Sequence, residues 1–108
     1  MNSFGSIRLD MRELDADVFA GARVFVDHIE STGAEAGHLV AAERDGATRR
    51  SEWTLIGDVL REVAAGRTAD DERSVFVSID QAALDVVAAL AALAGARERK
   101  LGQSVDWR

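Results

Sequence analysis

Two runs along the chain, residues 23–29 (RVFVDHI) and 74–79 (SVFVSI), are rich in β-branched and aromatic residues and lack strict alternation of apolar and polar positions. Such runs predict strands covered on both faces, the pattern of a parallel sheet. At the start, NSFG (2–5) reads as the end of a strand entering a Gly-Ser turn. Residues 10–22 place Met11, Leu14, Val18 and Phe19 at helix-like spacing and predict one or two short helical turns over a loop. The spacing also predicts a helix over 31–46. Thr32-Gly-Ala-Glu35 fits a capping box at its start, Gly33 and Gly37 weaken it, and Gly46 stops it. A second helix is predicted over 51–66, with Ser51 as cap, Trp53, Ile56, Leu60 and Val63 at i, i+3, i+7 and i+10, and Gly66 at its end. Past a polar loop and the 74–79 strand, Asp80 is the expected cap of a long final helix running to about Arg99. That helix is apolar nearly all round, with Asp85 the only charge between Ala82 and Ala96.

Strands separated by helices imply parallel pairing through right-handed crossovers, so the fold class is α/β. About three strands are expected, one of them a stub, where a doubly wound sheet normally has more. The chain therefore reads as part of a domain, with 81–108 as a helix and tail that pack on another body.

Composition narrows this picture. The 108 residues are 47% apolar and 30% charged, which is globular, and one domain is the natural size. The net charge of −6 leaves no basic surplus for neutralising phosphates, which argues against nucleic acid. Arg49-Arg50 and the 97–100 cluster read as solvated surface. The absence of cysteine excludes disulfides, thiol catalysis and thiolate metal sites, and fits a cytoplasmic protein. The N-terminal residues form no signal peptide, and the longest apolar run, residues 86–94, is shorter than the roughly 20 residues a bilayer needs, so no membrane role is expected.

Little catalytic chemistry stands out. GxGxxG, Walker A and GxSxG motifs are absent. His28 and His38 lack partners at metal-ligand spacing and read as a strand-end and a helix-surface histidine, so no metal is expected. Asp70-Asp71-Glu72 reads as turn chemistry. What remains is positional, because open parallel sheets gather ligands at the carboxyl ends of their strands. Those ends are Phe4-Gly5-Ser6-Ile7, His28-Ile29-Glu30 and Ser78-Ile79-Asp80.

The order of these pieces resembles the C-terminal part of the ornithine cyclodeaminase/μ-crystallin family. NSFGSIRLDMREL is similar to that family's N-A-x-G-S-x-x-P-D-x-R-E-L segment, and ARVFVDHIESTGAEAGHL to its next strand and helix. GDVLREVAAGRTADDERSVFVSIDQAALDVVAA resembles its G-E-V-x-x-G, G-R-T-x-x-D-E-x-x-x-F-x-S-x-G and A-x-x-D series, and LGQSVD its L-G-x-x-x-D ending. The resemblance covers nearly the whole chain. It implies NAD or NADP as cofactor, redox or cyclodeaminase chemistry on amino or imino acids, and residues 1–80 as part of a Rossmann-like dinucleotide-binding domain. It also implies that the glycine-rich loop and the substrate-domain lysine and arginine would lie before Met1.

By the same resemblance, Phe4, Gly5, Ser6, Ile7 and Ser78 are expected at the cofactor and Ile79 at the substrate. Ile7 stands where the cyclodeaminase branch has its catalytic aspartate, Leu9 where a proline is usual, Met11 where some members have lysine, and Asp80 where a glycine is usual. No catalytic residue is expected in this chain, and it is expected to be inactive alone and to bind no NADH in the micromolar range. The alternatives are one half of a split enzyme and a non-enzymatic oligomerisation module. Either would use the 82–97 helix against a second copy or a complementary chain.

Overall fold

A computed structural model describes residues 1–79 and 81–106. Four parallel strands form one sheet: β1 (Asn2–Ser3), β2 (Arg23–Val26), β3 (Thr54–Leu55) and β4 (Ser74–Val77), in the order β1-β4-β2-β3. Helices α1 (Ile29–Glu35), α2 (Gly37–Arg44) and α3 (Ile56–Leu60) lie in the crossovers, and α4 (Ala82–Glu98) follows the last strand. A 3-10 turn, Ala16–Val18, stands in the β1–β2 connection. The α/β class and parallel sheet agree with the sequence expectation, with one strand more than the three anticipated.

The core lies on one face of this sheet. Val24, Val26, Val75 and Val77 meet Phe19, Ala36, Leu39 and Ala42, all at most 2% exposed. Phe25 and Phe76 belong to the opposite face, where Phe4 packs edge-on against Phe76 with ring centroids 6.0 Å apart. Phe4 is itself 60% exposed, so this second layer is thin.

The predicted 31–46 helix is two helices, broken at Ala36 (ψ 86°). Its expected capping box is not formed, because Thr32 lies inside α1 and gives its hydroxyl to Asp27 at 3.2 Å. The N-cap is His28, whose Nδ1 accepts the Ser31 N–H. A close backbone approach stands directly after the break. At Gly37 a Cβ would meet the carbonyl oxygens of Arg8, Leu9 and Met11 at 2.4–2.7 Å, so only glycine lets the 8–11 turn sit against the start of α2. Gly46 (φ 79°) terminates α2 as expected, its N–H donating to the Glu43 carbonyl.

The predicted 51–66 helix is replaced by a 3-10 turn (Arg50–Glu52), the strand β3 and the five-residue α3. Pairing of Thr54–Leu55 with Phe25–Val26 wins over the helical period. Trp53, in extended conformation, buries its ring, and its indole N–H donates to Thr48 Oγ1 at 3.1 Å. Leu60 and Val63, which the helix would have buried, are 78% and 73% exposed. Arg50 is no mere solvated charge: it lies 5.3 Å from the Trp53 ring centroid, pairs with Glu43 at 2.9 Å and donates to the Gly33 carbonyl.

Helix α4 has no buried residue along its 17 positions. Leu84, Val86, Val87, Leu90 and Leu93 are 47–64% exposed. The expected cap Asp80 lies outside the described residues; the position preceding the helix is Gln81, which makes no side-chain cap. The radius of gyration is 17.4 Å, against about 13 Å for a compact domain of this length. Among the described residues no helix is long and apolar enough to cross a membrane.

Candidate strand-end site

Register determines which residues share the carboxyl edge of the sheet. Ser3 is level with Val77, Val77 with Val26, and Val26 with Leu55. The next residue along each strand is therefore Phe4, Ser78, Asp27 or Ile56. The Ser78 N–H donates to the Ser3 carbonyl at 3.0 Å, which carries the ladder one step beyond β4.

Asp27 ties the two central strand ends together. Its Oδ2 accepts the Ser78 hydroxyl at 2.7 Å and the Ile79 N–H at 3.3 Å. Its Oδ1 accepts the His28 N–H at 2.9 Å and the Thr32 hydroxyl. A carboxylate receiving four donors fixes the exit directions of β2 and β4 together. Sequence reading passed over Asp27 inside its strand. The detectable signal is a lone acid directly after three apolar strand residues, level with a serine at the end of another strand.

A second polar knot lies behind segment 4–7. Glu13 accepts the Ser3 hydroxyl, and this bond, with the nearby Gly5 backbone, holds its carboxyl below the usual carboxylate range. His38 is buried, not on the helix surface as its spacing implied. Its ring stacks on Phe19 at 5.6 Å, its Nε2 lies 3.4 Å from Ser3 Oγ, and its Nδ1 has no partner among the described residues. Burial pushes its pKa down, with a smaller opposing pull from Glu13.

The expected site residues divide into two groups. Phe4 and Ile7, 60% and 49% exposed, face outward beside the sheet edge. Ser78 lies at the same edge, 7% exposed. Gly5 lets Glu13 close over the segment, since a Cβ there would collide with Oε1. Ser6 turns inward, accepting the His38 N–H at 3.3 Å and donating to the Met11 carbonyl at 3.1 Å. Ile79 puts its side chain into the core and its N–H on Asp27. Among the described residues no three potential metal ligands cluster.

A cleft of about 400 Å³ opens at the opposite end of the sheet, beside Met1, Ser74 and Val75. Its charges are engaged internally. Glu72 holds the Thr68 N–H and hydroxyl, which lower its pKa to about 2, and pairs with Arg23 at 2.5 Å. Arg73 donates to the Ala20 carbonyl, and Arg67 to the carbonyls of Ala69 and Asp70. Of the acidic loop, Glu72 does turn chemistry by closing on Thr68.

No family model matches the chain. It is 31% identical over 109 residues to a Δ1-pyrroline-2-carboxylate reductase of Bacillus cereus, an alignment covering 99% of this chain and 34% of that protein. Among solved structures, it resembles the Thermococcus litoralis Δ1-pyrroline-2-carboxylate reductase in complex with NADH and L-proline. There the TM-score is 0.81 at 27% identity, over 96% of this chain and 32% of that one. A probable ornithine cyclodeaminase from Bordetella pertussis gives a TM-score of 0.75 at 32% identity, over 95% of this chain and 33% of that one. The chain thus spans about a third of the length of the curated relatives it matches.

Proposed function

Because the chain is related along nearly its whole length to the ornithine cyclodeaminase/μ-crystallin family, we propose that it forms the nicotinamide edge of an NAD(P) site in an oxidoreductase acting on a small amino or imino acid. The observation that carries this reading is the strand-end line itself. Phe4, Ser78 and Asp27 share one register level at the carboxyl edge of a parallel sheet, where open α/β folds take their ligands. Phe4 and Ile7 supply exposed apolar surface beside that line, suited to the face of a flat ring.

Cofactor and chemistry come from relatives whose names state them: a reductase, and a neighbour holding NADH and L-proline. A nicotinamide would supply hydride transfer. This chain's own residues bind and orient the ring, with Ser78 at its polar side and Ile7 at its apolar side. Isoleucine at position 7 offers no proton acceptor, which favours reductase over cyclodeaminase chemistry. The chain lacks a glycine-rich turn for the pyrophosphate, so tight binding and turnover require a complementary region.

The test is complementation. The part of the B. cereus reductase outside the matched third is co-expressed with this chain, and NADH oxidation is followed with Δ1-pyrroline-2-carboxylate. Turnover by the mixture, and none by the chain alone, is the expected result. Silence of the mixture, when the reductase's own two pieces reassemble into active enzyme, would count against the proposal.

A second reading rests on α4, whose apolar surface is exposed all round. In this reading the helix is an association surface for a second copy or a complementary chain, and the chain acts without catalysis.

A further inference from the structure

The strand-end edge has an unusual hydrogen-bonding polarity. Strand-to-helix junctions that bind phosphates present free backbone N–H groups to the ligand. Here, among the described residues, carboxylates lie against that edge from within. Asp27 takes the Ile79 N–H, and Glu13 takes the Ser3 hydroxyl behind segment 4–7. The Ile7 N–H goes to the Gly5 carbonyl and the Ser78 N–H to the Ser3 carbonyl. The Ser78 hydroxyl also stands at this edge, and the direction of its proton is determined. Asp27 receives the N–H groups of His28 and Ile79, which can only donate, one on each carboxylate oxygen. Oδ2, already accepting from Ile79, lies 2.7 Å from Ser78 Oγ. A serine hydroxyl has one proton and two acceptor lone pairs. With its proton on Asp27, Ser78 has only acceptor capacity left for a ligand.

We propose that Asp27 is a positioning residue that orients the Ser78 hydroxyl, so that this edge accepts a hydrogen bond from its ligand and selects a neutral donor, such as the primary amide N–H of a nicotinamide, over an anion. The inference rests on the dinucleotide reading above and deepens it. Glu13 and Asp27 reinforce the selection, because two carboxylates beside the edge repel a phosphate or carboxylate there. The dinucleotide's pyrophosphate must then be held elsewhere, by a region other than this edge.

The test uses the isotope-labelled full chain and two dinucleotides at up to millimolar concentration. NAD+ carries the amide donor; 3-acetylpyridine adenine dinucleotide has a methyl group in place of the amide NH2. NAD+ is expected to shift the Ser78 and Ile79 amide resonances and to bind about tenfold more tightly than the analogue, the order of one polarised hydrogen bond. In Ser78→Ala, which leaves Asp27 its backbone donors, the ratio falls to about one. In Asp27→Asn, whose amide can donate to Ser78 and release the hydroxyl proton, the preference also collapses. Equal binding of both dinucleotides by the unaltered chain overturns the inference and leaves the dinucleotide reading intact. Failure of NAD+ to shift these resonances removes the dinucleotide reading and the inference with it.

Discussion

His38 shows how far one side chain can depart from the expectation of its local sequence. Helical spacing put it on a surface, but the close approach at Gly37 draws the 8–11 turn over it and Phe19 covers its ring. Its Nδ1 is buried without a partner among the described residues, and burial favours the neutral imidazole in the folded state. The sign of the consequence follows from linkage. The unfolded chain takes up this proton near the ordinary value of about 6.5, and the folded chain only at lower pH. Stability is therefore complete above about pH 6.5 and falls as the pH drops toward the depressed folded value. Arg12 adds to the depression and Glu13 opposes it. The urea midpoint should be lower at pH 5.5 than at pH 7.5, and the difference should vanish in His38→Asn but persist in His28→Asn. The same midpoint at both pH values in the unaltered chain would show that His38 is readily protonated in place. Of the candidate site at this scale, Ser78 and segment 4–7 were legible because they follow directly from strand ends. Asp27 and Glu13 were not. Asp27 meets Ser78 across 51 residues of sequence, and only register makes them neighbours.

Elements were legible in proportion to how much of their stability is local. The strands β2 and β4 announce themselves as continuous apolar runs. The two-residue β3 does not, because it is defined by its partner strand, and the periodicity around it mimics a helix. Likewise, Gly37 sits against carbonyls almost thirty residues upstream, directly after the break between α1 and α2, which no capping rule could show. The 17-residue α4 was legible as a helix, and none of its residues is buried. A helix apolar on every side is one that packs on other protein over most of its surface. Substituting Leu90 with glutamate should reduce association of the chain, read as a shift toward monomer in sedimentation, while the sheet's circular dichroism is unchanged. A chain that sediments as a monomer at high concentration before any substitution would remove self-association through α4.

At the scale of the whole molecule, the chain is a small packed body with α4 as an extended arm, and it measures 54 × 33 × 20 Å. The body keeps its core and its strand-end edge on the sheet, while α4 carries exposed Leu84, Val86, Val87, Leu90 and Leu93. A helix without tertiary contacts is held by its own hydrogen bonds alone, and it opens far more often than a packed one. Limited proteolysis should therefore cut first within residues 82–98 and leave the 1–79 body intact; a first cut inside the sheet would contradict that division. In a cell the consequence is one of lifetime. Degradation by cellular proteases tracks the population of open segments, so the arm makes the chain's turnover depend on whether α4 is covered. Its steady-state abundance would then follow the supply of whatever covers that helix.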